Sequence, residues 1–154
     1  MIREATPEDA DLVAEDFWHP LAEAMEPYSE LNELTDDALE HAREGFADLL
    51  GSEDRYEFLL EVDGEAVGYI AAETGTRPTR QLSEYMDILD LYVREGYRGQ
   101  GYGTRLVERV EAVAEREGCD YATVSAEWAN DPANDLYESL DYEPKQVTHA
   151  KRLE

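Results

Sequence analysis

Apolar positions recur along the chain in two periods, and the period changes twice. Val13, Phe17, Leu21 and Ala24 follow helical spacing after Thr6-Pro7-Glu8-Asp9, where Thr6 suits an N-cap, Pro7 the first helical position and Asp9 the third. Pro20 lies inside that pattern and predicts a kink or division. A second helix starts near Thr35-Asp36-Asp37, carries Leu39, Ala42, Phe46, Leu49 and Leu50 on one face, and stops at Gly51. A short strand at 2–5 precedes both.

From residue 56 the pattern becomes strand-like. Tyr56–Val62 and Ala66–Glu73 flank Asp63-Gly64, a dipeptide suited to a tight type I′ hairpin. Residues 74–83, with Gly75, Pro78 and two Arg, predict a loop, and Tyr85–Val93 a third strand. Leu106, Val107, Val110, Val113 and Ala114 make 101–117 an amphipathic helix ended by Gly118. Tyr121–Ala126 predicts a strand, Pro132–Leu140 a short helix and Lys145–Leu153 a weaker last strand. The expected fold is α/β (α+β): a mixed, mostly antiparallel sheet flanked by helices in the order β-α-α-β-β-β-α-β-α-β, one domain over 1–154.

Composition narrows the partners. Of 154 residues, 38 are Asp or Glu and 13 Lys or Arg, a net charge of −25. Such a surface repels nucleic acid and anionic lipid, so neither is expected as a partner. Only Lys145 and Lys151 are lysines, and an acid-rich, Lys-poor chain resembles halophilic proteins from saline cytoplasm, where salt screens the charge. Cys119 is alone and His19, His41 and His149 lack ligand spacing, so no disulfide or metal site is expected. No run is long and apolar enough for a membrane span, and no signal-peptide pattern opens the chain; the expectation is a cytoplasmic protein.

One stretch departs from the acidity. Over 94–109, Arg94, Arg98, Arg105 and Arg109 outnumber Glu95 and Glu108, giving +2. Within it Gly99, Gly101 and Gly103 join a strand to a helix, so the backbone turns tightly and presents the helix N–H groups and positive dipole end to an anion. Gly96 and Gly101 have P-loop spacing, but Tyr102 and Gly103 replace the required Lys and Ser/Thr. Thr104 likewise stands where a dinucleotide fingerprint needs its third glycine.

Arg98-Gly99-Gln100-Gly101-Tyr102-Gly103 resembles the Gln/Arg-x-x-Gly-x-Gly/Ala motif of the GNAT superfamily of acyl-CoA-dependent N-acyltransferases. Asn130, Ala133, Leu136, Tyr137, Glu138, Leu140 and Tyr142 resemble its Asn-x-x-Ala-x-x-Leu-Tyr-Glu-x-x-Gly-Phe segment, with Tyr142 for Phe and Asp141 for Gly. Asp tolerates the left-handed backbone that such a glycine supplies. The resemblance implies that strand 85–93 splays from strand 121–126 around the pantetheine arm of acetyl-CoA, a co-substrate needing no metal. Backbone groups at Leu91, Tyr92 and Val93 would pair with that arm or stabilise the developing oxyanion, and N–H groups from Arg98 to Thr104 would hold the pyrophosphate.

The resemblance also places Tyr137 as general acid for the departing thiolate, and Asp87 where some relatives carry a basic Glu. Regular pleating puts Asp87 on the face of Leu89, Leu91 and Val93. Asp90 and Glu84 compete, because a bulge would change which carboxylate faces the amine. The ribosomal-protein N-terminal acetyltransferases share Leu136-Tyr137-Glu138-Ser139-Leu140, but Ser125 and Glu127 stand where those enzymes have Glu and Arg. Glu127 and Trp128 are candidates for lining the acceptor pocket. Residues 1–54 carry 17 acids against two Arg, which favours a cationic small-molecule, peptide or protein amine. A non-catalytic CoA-binding module is the rival, and the last strand or exposed helices offer a surface for a homodimer.

Overall fold

Thr6 and Asp9 open the helical layer as the sequence leads one to expect, and the carboxylate does most of the capping. The Thr6 N–H donates to Asp9 Oδ2 at 2.8 Å, while Arg3 donates from both Nη atoms to the two Asp9 oxygens at 2.9 Å. The fork ties strand β1 (Ile2–Glu4) to the first turn and holds the Asp9 carboxyl below its ordinary pKa. Asp9→Ala is expected to cost about 1–2 kcal/mol in thermal or urea unfolding near neutral pH, the scale of a lost cap. Because the folded-state pKa is lowered, the contribution is present above the unfolded value and disappears as pH falls through the folded one. The gap between wild type and variant closes in acid.

The computed structural model describes residues 1–154. After a 3₁₀ turn at Pro7–Asp9, helix α1 (Ala10–Leu12) passes into a π-helical stretch, Val13–Trp18, and on into α2 (His19–Met25). Pro20 therefore neither divides nor ends the helix. It cannot donate to the carbonyl four residues back, and the widened turn before it, closed by His19 N–H to Ala14 O, carries the chain past the ring. Two 3₁₀ turns, Glu26–Tyr28 and Glu30–Asn32, precede α3 (Ala38–Leu49).

Strands β2 (Arg55–Val62), β3 (Glu65–Thr76), β4 (Glu84–Val93) and β5 (Tyr121–Val124) join β1 in one sheet of order β1-β2-β3-β4-β5. All pairs are antiparallel except β4–β5. Asp63 and Gly64 both take positive φ, as a type I′ turn requires. The expected loop at 74–83 shrinks because β3 continues through Gly75. A Cβ there would lie 2.4 Å from the Tyr85 ring, so the glycine lets that tyrosine lie across the strand.

Helix α4 (Tyr102–Arg116) covers one sheet face, packing Leu106, Val107, Val110 and Val113 on Phe58, Leu60, Ile70, Met86 and Ile88. The helical layer of residues 10–50 covers part of the other, where Val13, Phe17, Phe46 and Leu50 meet Leu59, Tyr69 and Ala71. Helix α5 (Asp131–Ser139) follows β5. The expected last strand at 145–153 does not form: residues 143–154 make no backbone hydrogen bond, and β5 is left as the sheet edge. A strand requires a neighbour, and this chain lays none beside that segment.

Candidate active site

Strand β4 changes its pairing partway along. Ala71 pairs with Asp90 but Ala72 with Ile88, so Leu89 is an extra residue, a β-bulge. On the other side β4 pairs with β5 only from Tyr85 to Ile88, and β5 ends at Val124. From the bulge onward β4 has no β5 neighbour, and its edge on that side is unpaired as far as Val93.

The bulge also reassigns faces. Met86 and Ile88 point to α4, and so do Leu91 and Val93, which pack against the same cluster. Asp87 and Asp90 consequently share the opposite face with Tyr92, correcting the regular pleating that would set Asp87 beside Leu91. Asp87 accepts from Thr123 Oγ1 at 2.8 Å. Burial, the largest influence, raises the Asp90 pKa, with Arg55 opposing and Glu57 reinforcing it. Glu84 is exposed at the strand's start, where its N–H binds Asp120.

Behind Asp90, on the same register row, lie Ala71 and then Glu57. Glu57 is 5% exposed and accepts from Arg55 Nη2 at 2.7 Å and from the Tyr69 hydroxyl at 2.9 Å. Sequence reasoning missed this set. Its available signal was Arg55 and Glu57 at strand spacing, a charge pair on one face of an otherwise apolar run.

The unpaired end of β4 runs on into the glycine loop. Gly99 and Gly101 adopt φ of 78° and 82°, and nothing lies within 4 Å of where their Cβ atoms would be. Backbone conformation, not packing, is what favours glycine at both. Gly101 is the N-cap of α4 without any side-chain cap or first-turn acid, leaving the first-turn N–H groups of Tyr102, Gly103 and Thr104 without intrahelical partners. Arg98 lies over the Tyr92 ring at 5.2 Å and donates from Nε to the Val93 carbonyl at 2.8 Å, while Gln100 is exposed beside it. Arg94 is structural, donating to Ala66 O and Asp16.

Helix α5 meets this loop where Leu136 Cδ2 lies 3.6 Å from the Gly103 Cβ position. Asn130 caps α5, its side chain accepting from Ala133 N–H at 3.3 Å. Asp141 adopts φ of 70°, the left-handed turn expected of the residue in glycine's place. Tyr137 packs edge-on to Tyr142, and its hydroxyl has no hydrogen-bond partner in the chain. Burial, aided by the Asp90 charge, pushes its pKa to about 12. It is therefore a neutral donor at pH 7. Glu127 accepts from Asn32 Nδ2 at the end of β5, and the Trp128 indole is 79% exposed.

A family model described as "Acetyltransferase (GNAT) family" matches residues 17–142. An N-alpha-acetyltransferase of Sulfurisphaera tokodaii is 32% identical over 96 residues, 58% of each chain. The chain spans about half the length of the curated relatives it matches. Among solved structures, a mutant protein from Bacillus halodurans superposes with TM-score 0.81 at 23% identity over 99% of both chains. An aminoglycoside N-acetyltransferase in complex with CoA superposes with TM-score 0.74 at 17% identity, over 99% of this chain and 93% of that one. No helix is long and apolar enough to cross a membrane.

Proposed function

The chain belongs to the GNAT acetyltransferase family, and from that membership we propose that it transfers an acetyl group from acetyl-CoA to a primary amine by direct attack in a ternary complex. The observation that carries this reading is the bulge at Leu89, beyond which β4 has no β5 partner, between an uncapped helix N-terminus and a half-buried, neutral tyrosine.

The chain's own groups divide the work. First-turn N–H groups of α4, reached over Gly99, Gln100 and Gly101, bind the pyrophosphate, and the α4 dipole favours its charge. Peptide groups of Leu91 and Tyr92 without a β5 neighbour serve the pantetheine arm and the developing oxyanion. Arg98, by contrast, already occupies the Val93 carbonyl. Asn130 acts by fixing the start of α5 and hence the position of Tyr137, whose proton goes to the leaving thiolate.

An ordinary alkylammonium must lose a proton before it can attack. Asp90 takes it: its raised pKa makes it the better base, and its charge is felt at Tyr137. Asp87, fixed by Thr123, attracts the ammonium. Asp90→Asn is expected to remove the acid limb of kcat/KM, which in wild type rises through the Asp90 pKa above the usual carboxylate range. Asp87→Asn should keep that limb and raise KM for the amine. The reverse assignment of limbs would make Asp87 the base.

The acceptor is cationic. Asp87, Asp90 and exposed Glu73 lie on the sheet face toward the first 54 residues, which carry a net −15. KM for a polyamine or another cationic amine is expected to rise several-fold between about 0.1 and 1 M salt as the Debye length shrinks from ~10 to ~3 Å. A KM indifferent to salt, or lower for neutral amines, would remove the electrostatic basis.

A further inference from the structure

Two tyrosines on the acid-bearing face of the sheet belong to neither core cluster. Tyr85 of β4 and Tyr121 of β5 are register partners, both half-buried, with ring centroids 5.7 Å apart and planes 22° from parallel. Met86, Ile88, Ala122 and Val124 pack beneath α4, so alternation sets the tyrosines on the opposite face, beside Asp87 and Thr123. Neither tyrosine hydroxyl has a hydrogen-bond partner in the chain, and neither is sealed from water. What the pair offers is its rings.

The rings already hold a cation. Arg77, just past the end of β3, places its guanidinium 5.7 Å from the Tyr85 ring centroid. In a chain with 38 acids that guanidinium makes no ion pair and no hydrogen bond, and faces an aromatic ring instead. Its position is set by the backbone, since Arg77 N–H donates to Ser83 O at 2.7 Å and Arg80 N–H to Arg77 O at 3.0 Å. The ring's position is set by Gly75, where any Cβ would strike it.

Along this face the rows form a ladder toward the candidate base. Asp90 stands opposite Ala71, Asp87 opposite Glu73, and Tyr85 opposite Gly75. Successive rows on one face are about 7 Å apart, so the tyrosine row lies roughly 13 Å from the Asp90 row, with the Asp87 and Glu73 carboxylates between.

We propose that Tyr85 and Tyr121 form a second cation subsite, which takes the distal ammonium or guanidinium of an extended acceptor, and that Arg77 occupies it until the acceptor displaces it. The inference rests on the acetyl-transfer reading for the place of the reacting amine, at Asp90, and narrows the acceptor to a chain cationic at both ends. The two cations stand roughly 10–14 Å apart, the span of the ladder. Asp87 and Glu73 favour a further cation midway along it.

Calorimetry of straight-chain diamines in the presence of CoA tests the subsite with no acetyl group to transfer. Diamines long enough to span the ladder are expected to bind more tightly than monoamines of the same carbon count. Tyr85→Leu with Tyr121→Leu should weaken the long diamines about tenfold and leave monoamines unchanged, the scale of a partly desolvated cation–π contact. Tyr85→Phe with Tyr121→Phe keeps the rings and should keep the affinity. Arg77→Ala, a change on an exposed loop, should tighten long diamines several-fold more than monoamines. Long-diamine binding that is indifferent to the Leu pair, or lost equally in the Phe pair, would overturn the proposal. So would unchanged or weaker long-diamine binding in Arg77→Ala, a result that stands even if the Leu pair does not fold. Turnover with acetyl-CoA separates the two readings. Ring-dependent diamine binding without acetylated product would keep the subsite and sink the transfer reading; acetylation of amines regardless of the rings would do the reverse.

Discussion

Gly101→Asp is expected to weaken CoA binding by at least about 100-fold, with the fold intact. The two halves of that expectation rest on different observations. Space for a Cβ exists, since no atom lies within 4 Å, and Asp is among the few residues that tolerate the φ of 82° held there. Binding fails because the carboxylate sits at the N-cap of α4, cancelling the dipole and repelling the pyrophosphate in the position it must occupy. Gly101→Asn separates charge from shape: it keeps the tolerance for left-handed geometry without the charge, and its loss should be much smaller. Calorimetry with CoA at about 0.15 M salt reads both variants. Wild-type affinity in Gly101→Asp would place the nucleotide elsewhere.

Tyr137→Phe should lower kcat roughly 100-fold while leaving the affinity for acetyl-CoA unchanged, the range expected for loss of a positioned general acid. The substitution is structurally mild, because the hydroxyl has no partner to lose and the edge-on contact with Tyr142 at 6.1 Å is a ring contact. With its pKa near 12, Tyr137 stays protonated across the working range, so no alkaline limb in the wild-type profile belongs to it. A donor thioester with a better leaving thiol needs less protonation and should recover part of the lost rate in the variant. If Tyr137→Phe keeps full kcat, the thiolate leaves without that acid.

Period and punctuation made most of the fold legible. The Asp63-Gly64 turn, the α4 stripe and the glycine loop are local: neighbours in sequence decide them, and the structure places each where its residues predict. The same holds for the second motif, where Asp141 takes over a glycine's backbone conformation. What could not be read depends on contacts between distant residues. The π-helical stretch that carries the chain past Pro20 also sets Val13 and Phe17 into the core on the sheet, a placement the local pattern does not show. The bulge at Leu89 has no sequence mark of its own, yet it turns Asp87 to the face of Asp90 and precedes the unpaired β4 edge along which the cofactor is proposed to lie. Glu57 carried only a faint mark, its spacing to Arg55 on β2; the rest of its setting comes from Tyr69 reaching it from β3. The predicted strand at 145–153 failed for the complementary reason, since a strand pattern without an adjacent edge remains a pattern.

Thiol release from acetyl-CoA is the most direct measurement of the proposed chemistry, made with wild type and Tyr137→Phe over a panel of cationic, neutral and anionic amines at low and high salt. Transfer predicts CoA thiol and acetylated amine appearing in equal amounts, fastest with a cationic amine, and a rate roughly 100-fold lower in the variant. CoA binding with no thiol released in the presence of any amine would contradict it, and would mark the chain as a module that keeps the nucleotide loop without the reaction.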